Sequence, residues 1–145
     1  MDLDLTALLG DLGRMLAAFF LALPIGWERG HGTNSVGFRT LPLVAMAACG
    51  FSLIVAAGDA DTIEHRARVM QGVITGIGFI GGGAILKNGH NVEGLATAAS
   101  VWTAGAIGVA VGFDRVNIAI VLSFASVITL VVLGRIRPSD HDDQR

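Results

Sequence analysis

The sequence predicts an all-α, polytopic transmembrane helical bundle of about five spans. Three observations carry this reading. Only 15% of the 145 residues are charged and 52% are hydrophobic, whereas a soluble domain usually carries about 25% charge. The charge is clustered, and residues 40–57, 69–86, 95–113 and 116–134 hold no Asp, Glu, Lys or Arg. Each of these runs is 18 or 19 residues long. At about 1.5 Å per residue they reach about 27–29 Å, just enough for a hydrocarbon core of about 30 Å. Third, two of the runs are rich in glycine and other small residues, the composition that lets membrane helices approach closely.

The first span covers 5–27. Its apolar part, Met15 to Trp27, is too short to cross alone, so the helix must run back through Asp11 and Arg14. These two are three residues apart on one face and can pair. Asp4, a heptad before Asp11, extends the polar stripe. Two readings stand: an interfacial start with Arg14 snorkelling, or a polar vestibule lined by Asp11. Pro24 is expected to kink the helix or end it near Gly26. Met1-Asp2-Leu3-Asp4 is acidic where a signal peptide would be basic, so this segment is expected to be retained. Trp27 to Thr40 contains Gly30, Gly32 and Gly37 and reads as a loop.

The second span, 40–57, opens with Pro42 in its first turn, a tolerated position. Its Cys49, the single cysteine, reads as a buried thiol acting as a small hydrophobe. Thr62 to Arg68 reads as a polar helical turn into the third span, 69–86. That span carries Gly72, Gly76, Gly78, Gly81, Gly82 and Gly83, with Gln71 and Thr75 as its polar residues. Lys87 to Gly94 reads as a compact turn. In the fourth span, 95–113, Ala104, Gly108 and Gly112 repeat at four-residue spacing, the small-xxx-small pattern of close contacts. Thr97 and Trp102 are its other notable polar or amphipathic positions, and Trp102, being mid-span, is expected to pack inside the bundle. The fifth span, 116–134, is rich in Val, Ile, Leu and Phe and reads as a lipid-facing outer helix. One transmembrane domain, 1–137, is expected, followed by a polar tail, 138–145.

An odd number of spans puts the termini on opposite sides. With the N-terminus outside, the inner face carries Arg29, Arg39, Lys87, Arg135, Arg137 and Arg145, and the outer face Arg14, Arg66, Arg68 and Arg115. The positive-inside rule then favours N-out, C-in.

Soluble chemistries find little support. Gly76-Ile77-Gly78-Phe79-Ile80-Gly81 matches a dinucleotide fingerprint literally, but no strand–helix alternation surrounds it and Glu93 is too near to serve as the ribose acid. His31, His65, His90 and His141 have no metal-ligand spacing. Ser100, Thr103, Ser123 and Ser126 have no partner base. With a net charge of −2 and no basic patch, nucleic acid is not an expected partner. No enzyme activity, cofactor or metal centre is expected. What remains is a charged cluster at one membrane face, Glu28, Arg29, Arg39 and Thr40. Such charges need water or a partner, and Glu28 is expected to pair with Arg39, tying the first two spans together.

Four blocks in order resemble a known family. They are Gly26-Trp27-Glu28-Arg29, Gly37-Phe38-Arg39-Thr40, Gly76 to Leu86, and Val92-Glu93-Gly94-Leu95-Ala96-Thr97 through Trp102. Together they resemble the MgtC/SapB membrane domain over about residues 12–134. The resemblance implies a bacterial inner-membrane, multi-pass protein. Members of that family are linked to growth at low magnesium, survival in host cells and inhibition of ATP synthase. The family's MgtC-type members add a soluble C-terminal domain; this chain is expected to be the shorter, SapB-like form. By motif, Glu28, Arg29, Arg39, Thr40, Gly78, Phe79, Gly81, Gly83, Gly94, Leu95, Thr97 and Trp102 correspond to family positions without an assigned chemistry.

The expected function is that of a regulatory or adaptor protein in the lipid bilayer. It would act on membrane partners such as ATP synthase, or on itself as a homo-oligomer, a dimer, through close packing of spans three and four. The alternative is a small transporter or channel for an ion such as magnesium, using Gln71, Thr75, Thr97 and the Glu28 cluster as a polar path.

Overall fold

A computed structural model of the chain describes residues 4–30, 37–57, 62–88 and 91–136. Five helices lie at the five expected places: α1 (Leu5–Gly30), α2 (Thr40–Ala56), α3 (Ile63–Gly83), α4 (Leu95–Gly112) and α5 (Val116–Ile136). The protein is an all-α membrane bundle with one small departure. The turn expected after the third span is an antiparallel hairpin of β1 (Leu86–Asn88) and β2 (Asn91–Glu93), with Leu86 opposite Glu93 and Lys87 opposite Val92. The loop residue His31, the turn residue His90 and the tail 138–145 with His141 lie outside the described residues.

Local chemistry explains the helix ends. The Asp4 carboxylate accepts from the backbone N–H of Thr6 at 2.9 Å, which caps α1. Pro24 does not end α1, which continues to Gly30; a proline removes one backbone bond but need not stop a membrane helix whose neighbours support it. The polar turn at 62–68 is continuous with α3. The Thr62 hydroxyl caps it by accepting from His65 N–H at 3.3 Å, and also bonds the His65 ring at 2.8 Å. Asp114, in the left-handed region at φ 58°, makes the tight turn between α4 and α5.

Among the described residues three helices are long and apolar enough to cross a membrane: α1, α4, and α5 over Val116–Arg135. The 17-residue α2 is apolar but shorter. In α3 only 69–83 is both helical and free of charge, about 22 Å of helix. The charge-free run counted from sequence includes Ala84 to Leu86, which leave the helix for the hairpin.

Helix α4 is the centre of the bundle and contacts all four others. Half of its candidate span is buried, against 11% for α5. The core is built from small and branched residues: Ala18, Ala22 and Ile25 of α1; Leu41, Ala45 and Cys49 of α2; Val101, Ala104, Ile107 and Val111 of α4; and Ala119 of α5. Cys49 is buried with no disulfide, as a small hydrophobe would be. Most of α5 is exposed, including Val121, Phe124, Ile128 and Leu133, in keeping with an outer helix facing lipid.

Candidate functional site

The first two motif blocks meet at one corner, where α1 ends and α2 begins. Gly26 and Gly37 touch backbone to backbone. A Cβ on Gly26 would lie 2.9 Å from the Gly37 carbonyl oxygen, and one on Gly37 would lie 3.0 Å from that of Gly26. The Trp27 and Phe38 rings close the corner edge to face, 5.6 Å between centroids. The Gly37 carbonyl then accepts from Leu41 N–H at 3.2 Å at the start of α2. The glycines are therefore needed for close approach, and the aromatic pair for the apolar contact outside it.

The expected Glu28–Arg39 ion pair does not form. The two ion pairs among the described residues both belong to Arg14, with Asp11 at 3.9 Å and with Asp114 at 3.1 Å. Helical geometry gives the reason. Each residue advances about 100°, so Glu28 lies about 200° around α1 from Gly26, the residue that touches Gly37 and Phe38 just before α2. Arg39 is exposed at the N-cap of α2 and makes no capping bond. The corner is held by backbone and rings. Arg29 does face it, its Cβ against Gly37, and its Nε is buried with no hydrogen-bond partner among the described residues. Thr40 is half-buried as the first residue of α2.

The third and fourth blocks meet across the hairpin. Gly94 has φ +83°, in the left-handed region, and a Cβ there would run into the Ala84 carbonyl. It seats the start of α4 against the end of α3, where Gly81 lies against Ala98, a Cβ on it reaching the Ala98 carbonyl at 3.3 Å. Thr97 is half-buried nearby.

The expected packing glycines divide sharply. Gly108 and Gly112 are seated on α2: a Cβ on Gly108 would meet the Ala45 carbonyl, and one on Gly112 would come within 2.8 Å of the Cys49 carbonyl. By contrast Gly72, Gly76, Gly78, Gly82 and Gly83 meet nothing within 4 Å. These five pack against no other described residue, which corrects the expectation that they pack on the fourth span of the same chain. The reason is that α3 turns Ile77 and Gly81 inward and leaves most of its small residues on the other side. Gln71 and Thr75 share that exposed arc, as does Phe79, 87% exposed. Thr75 uses its hydroxyl on the Gln71 carbonyl at 2.8 Å. Trp102 corrects a second expectation. It is 54% exposed and lines a cavity of about 300 Å³ between α3, α4 and α5 instead of packing in the core.

Sequence reasoning missed two contacts. Gly105, one residue off the four-residue repeat, receives the Ile77 side chain from α3. The Ser123 hydroxyl donates to the Leu21 carbonyl at 2.7 Å and joins α5 to α1. The second was findable in part, since Ala119 and Ser123 form a small-residue pair one turn apart in a helix rich in Val, Ile and Leu, and both are buried. The hydroxyls of Ser52, Ser100, Thr103 and Thr129 bond back to their own helices. Among the described residues no three His, Cys, Asp or Glu side chains come together as a metal site would require.

Comparison with known proteins bears on what this corner and this open face belong to. The model of the MgtC family matches residues 15–138. The chain is similar to YhiD of Escherichia coli (strain K12), whose name provisionally makes it a magnesium transporter: 36% identical, covering 83% of this chain and 57% of that protein. It is similar to the protein MgtC of Brucella abortus (strain 2308), 37% identical over 86% of this chain and 50% of the relative. Protein SrpB of Synechococcus elongatus is 31% identical over 89% of this chain and 78% of its own length. The chain thus spans about half the length of the first two of these relatives. No solved structure matches. The family match runs from Met15, within α1, through α5 and takes in both meeting points described above, and the chain belongs to the MgtC family.

Proposed function

We propose that this chain is a regulatory or adaptor protein of the bacterial inner membrane, without enzymatic activity, that acts by contact with membrane proteins, including a second copy of itself. The exposed arc of α3 carries this reading. Lipid-facing α5 presents Val121, Phe124, Ile128 and Leu133. The α3 arc instead presents Gln71, Thr75, Gly78 and Gly82, spaced four, three and four apart in one row. A polar group left unsatisfied in hydrocarbon costs several kcal/mol. A carboxamide both donates and accepts, so two such rows about a two-fold axis would satisfy each other, and the glycines would let the backbones approach. Through this face the protein would act in adaptation to low magnesium or on a partner such as ATP synthase, the roles that family membership suggests.

The test is cysteine cross-linking in native membranes, in a Cys49→Ala background. Cysteine in place of Gly78 is expected to give a covalent dimer on oxidation, and cysteine in place of Val121 is not. Cross-linking at Val121 with none at Gly78 would defeat the proposal.

The name of YhiD favours a second reading, ion transport. In one chain Gln71 and Thr75 are on the outside of α3, so a polar path would have to run between copies. Magnesium flux into proteoliposomes that is lost in Gln71→Leu would establish that reading over the first.

A further inference from the structure

Helices α2 and α3 touch less than the other neighbouring helix pairs. Between them runs a groove of about 830 Å³, lined by Leu43, Phe51, Ile54, Val69 and Ile80, with Gly72 and Gly76 on its α3 wall. Its lining runs from Thr40 to Val55 along α2, about 22 Å of helix, more than one leaflet of a hydrocarbon core of about 30 Å. At one end, beside Ile54 and Val55, stands the exposed Arg68. Of the other arginines grouped with it on that face, Arg14 pairs with Asp11 and Asp114, Arg66 lies over the Phe113 ring, 5.2 Å from its centroid, and Arg115 lines the separate cavity beside Trp102. Arg68 has no ion-pair partner among the described residues, although Glu64 is one turn before it on α3.

We infer that this groove holds an anionic phospholipid of the surrounding bilayer, with an acyl chain between α2 and α3 and its phosphate on Arg68. The charge decides the headgroup: a guanidinium binds the phosphate by paired N–H donors, and it favours a headgroup whose negative charge no ammonium cancels. The lining decides the tail. It offers branched and aromatic side chains and no polar side chain at mid-depth, so a flexible hydrocarbon fills it without leaving any group unsatisfied. Gly72 and Gly76 keep the wall low. They lie on a different shoulder of α3 from the row of Gln71, Thr75, Gly78 and Gly82, so lipid and a second copy do not compete.

The test uses the purified full chain with an equimolar mixture of phosphatidylglycerol and phosphatidylcholine of identical acyl chains, read by native mass spectrometry. The expected result is a preference for phosphatidylglycerol of about fivefold, the weight of one basic side chain near an anionic surface. Arg68→Gln is expected to bring the ratio to one, and Arg135→Gln, on the distal end of α5, to leave it unchanged. Gly76→Leu, which fills open space and spares the fold, is expected to lower retention of both lipids. Equal retention of the two lipids by the unaltered protein overturns the inference. So does a preference that survives Arg68→Gln. A preference lost in Arg68→Gln but with full retention in Gly76→Leu removes the groove from the site and overturns it equally.

Discussion

Gly94 shows most directly how one residue sets the geometry. Its φ of +83° is strained for any L-residue with a side chain, and the space a Cβ would need is held by the Ala84 carbonyl. Gly94→Ala is therefore expected to cost more than the 1–2 kcal/mol of the left-handed conformation alone. Thermal unfolding in detergent should show it as a clear drop in midpoint, and an unchanged midpoint would mean that the hairpin relaxes freely. The sequence marks Gly94 as a motif position but gives no reason for it, because the reason lies in the end of α3, ten residues upstream. The Glu28–Arg39 pair failed for the opposite cause. Its two members are correct in type and in location along the chain, but a rotation of about 200° between Gly26 and Glu28 carries the acid away from the corner.

At the scale of the element, α3 and α4 are both glycine-rich and behave differently. Gly108 sits against the backbone of α2, whereas Gly76 faces open space. Gly108→Leu is expected to break the α2–α4 contact, since a carbonyl cannot move aside as a side-chain end can and overpacking a well-packed core costs about 1–3 kcal/mol or more. Gly76→Leu should leave the fold intact. Size-exclusion profile and melting temperature of the two variants check this together, and equal damage would refute the distinction. The ends of α1 and α3 were not legible, since α1 runs past Pro24 to Gly30 and α3 gives way to the hairpin after Gly83, but the existence of all five helices was, because charge clusters punctuate the chain. Which glycines pack was not. Four-residue spacing identifies a small face, as it did for Ala104, Gly108 and Gly112, but α3 has small residues around most of its circumference and its sequence holds no preferred direction. The same gap hid Trp102, whose mid-span position says nothing about whether it points inward or outward.

For the whole molecule, the contrast between the central α4 and the lightly held α3 predicts uneven stability. Helix α4 is locked to α2 by Gly108 and Gly112, and α5 is joined to α1 by the Ser123–Leu21 bond and by Arg14–Asp114, which ties the start of α1 to the α4–α5 turn. The principal apolar anchor of α3 is Ile77, 7% exposed, seated on Gly105. Local openings draw on the elements with the fewest buried contacts, so α3 should open before the rest. Ile77→Ala removes the anchor at a cost of about 2–5 kcal/mol for an aliphatic side chain cut to alanine in a core. Hydrogen exchange in detergent is expected to show faster exchange across α3 in this variant, with α4 protected as before. If protection falls equally in α4, the five helices open as one unit, and α3 is not an independently movable element that a regulatory partner could bind or displace.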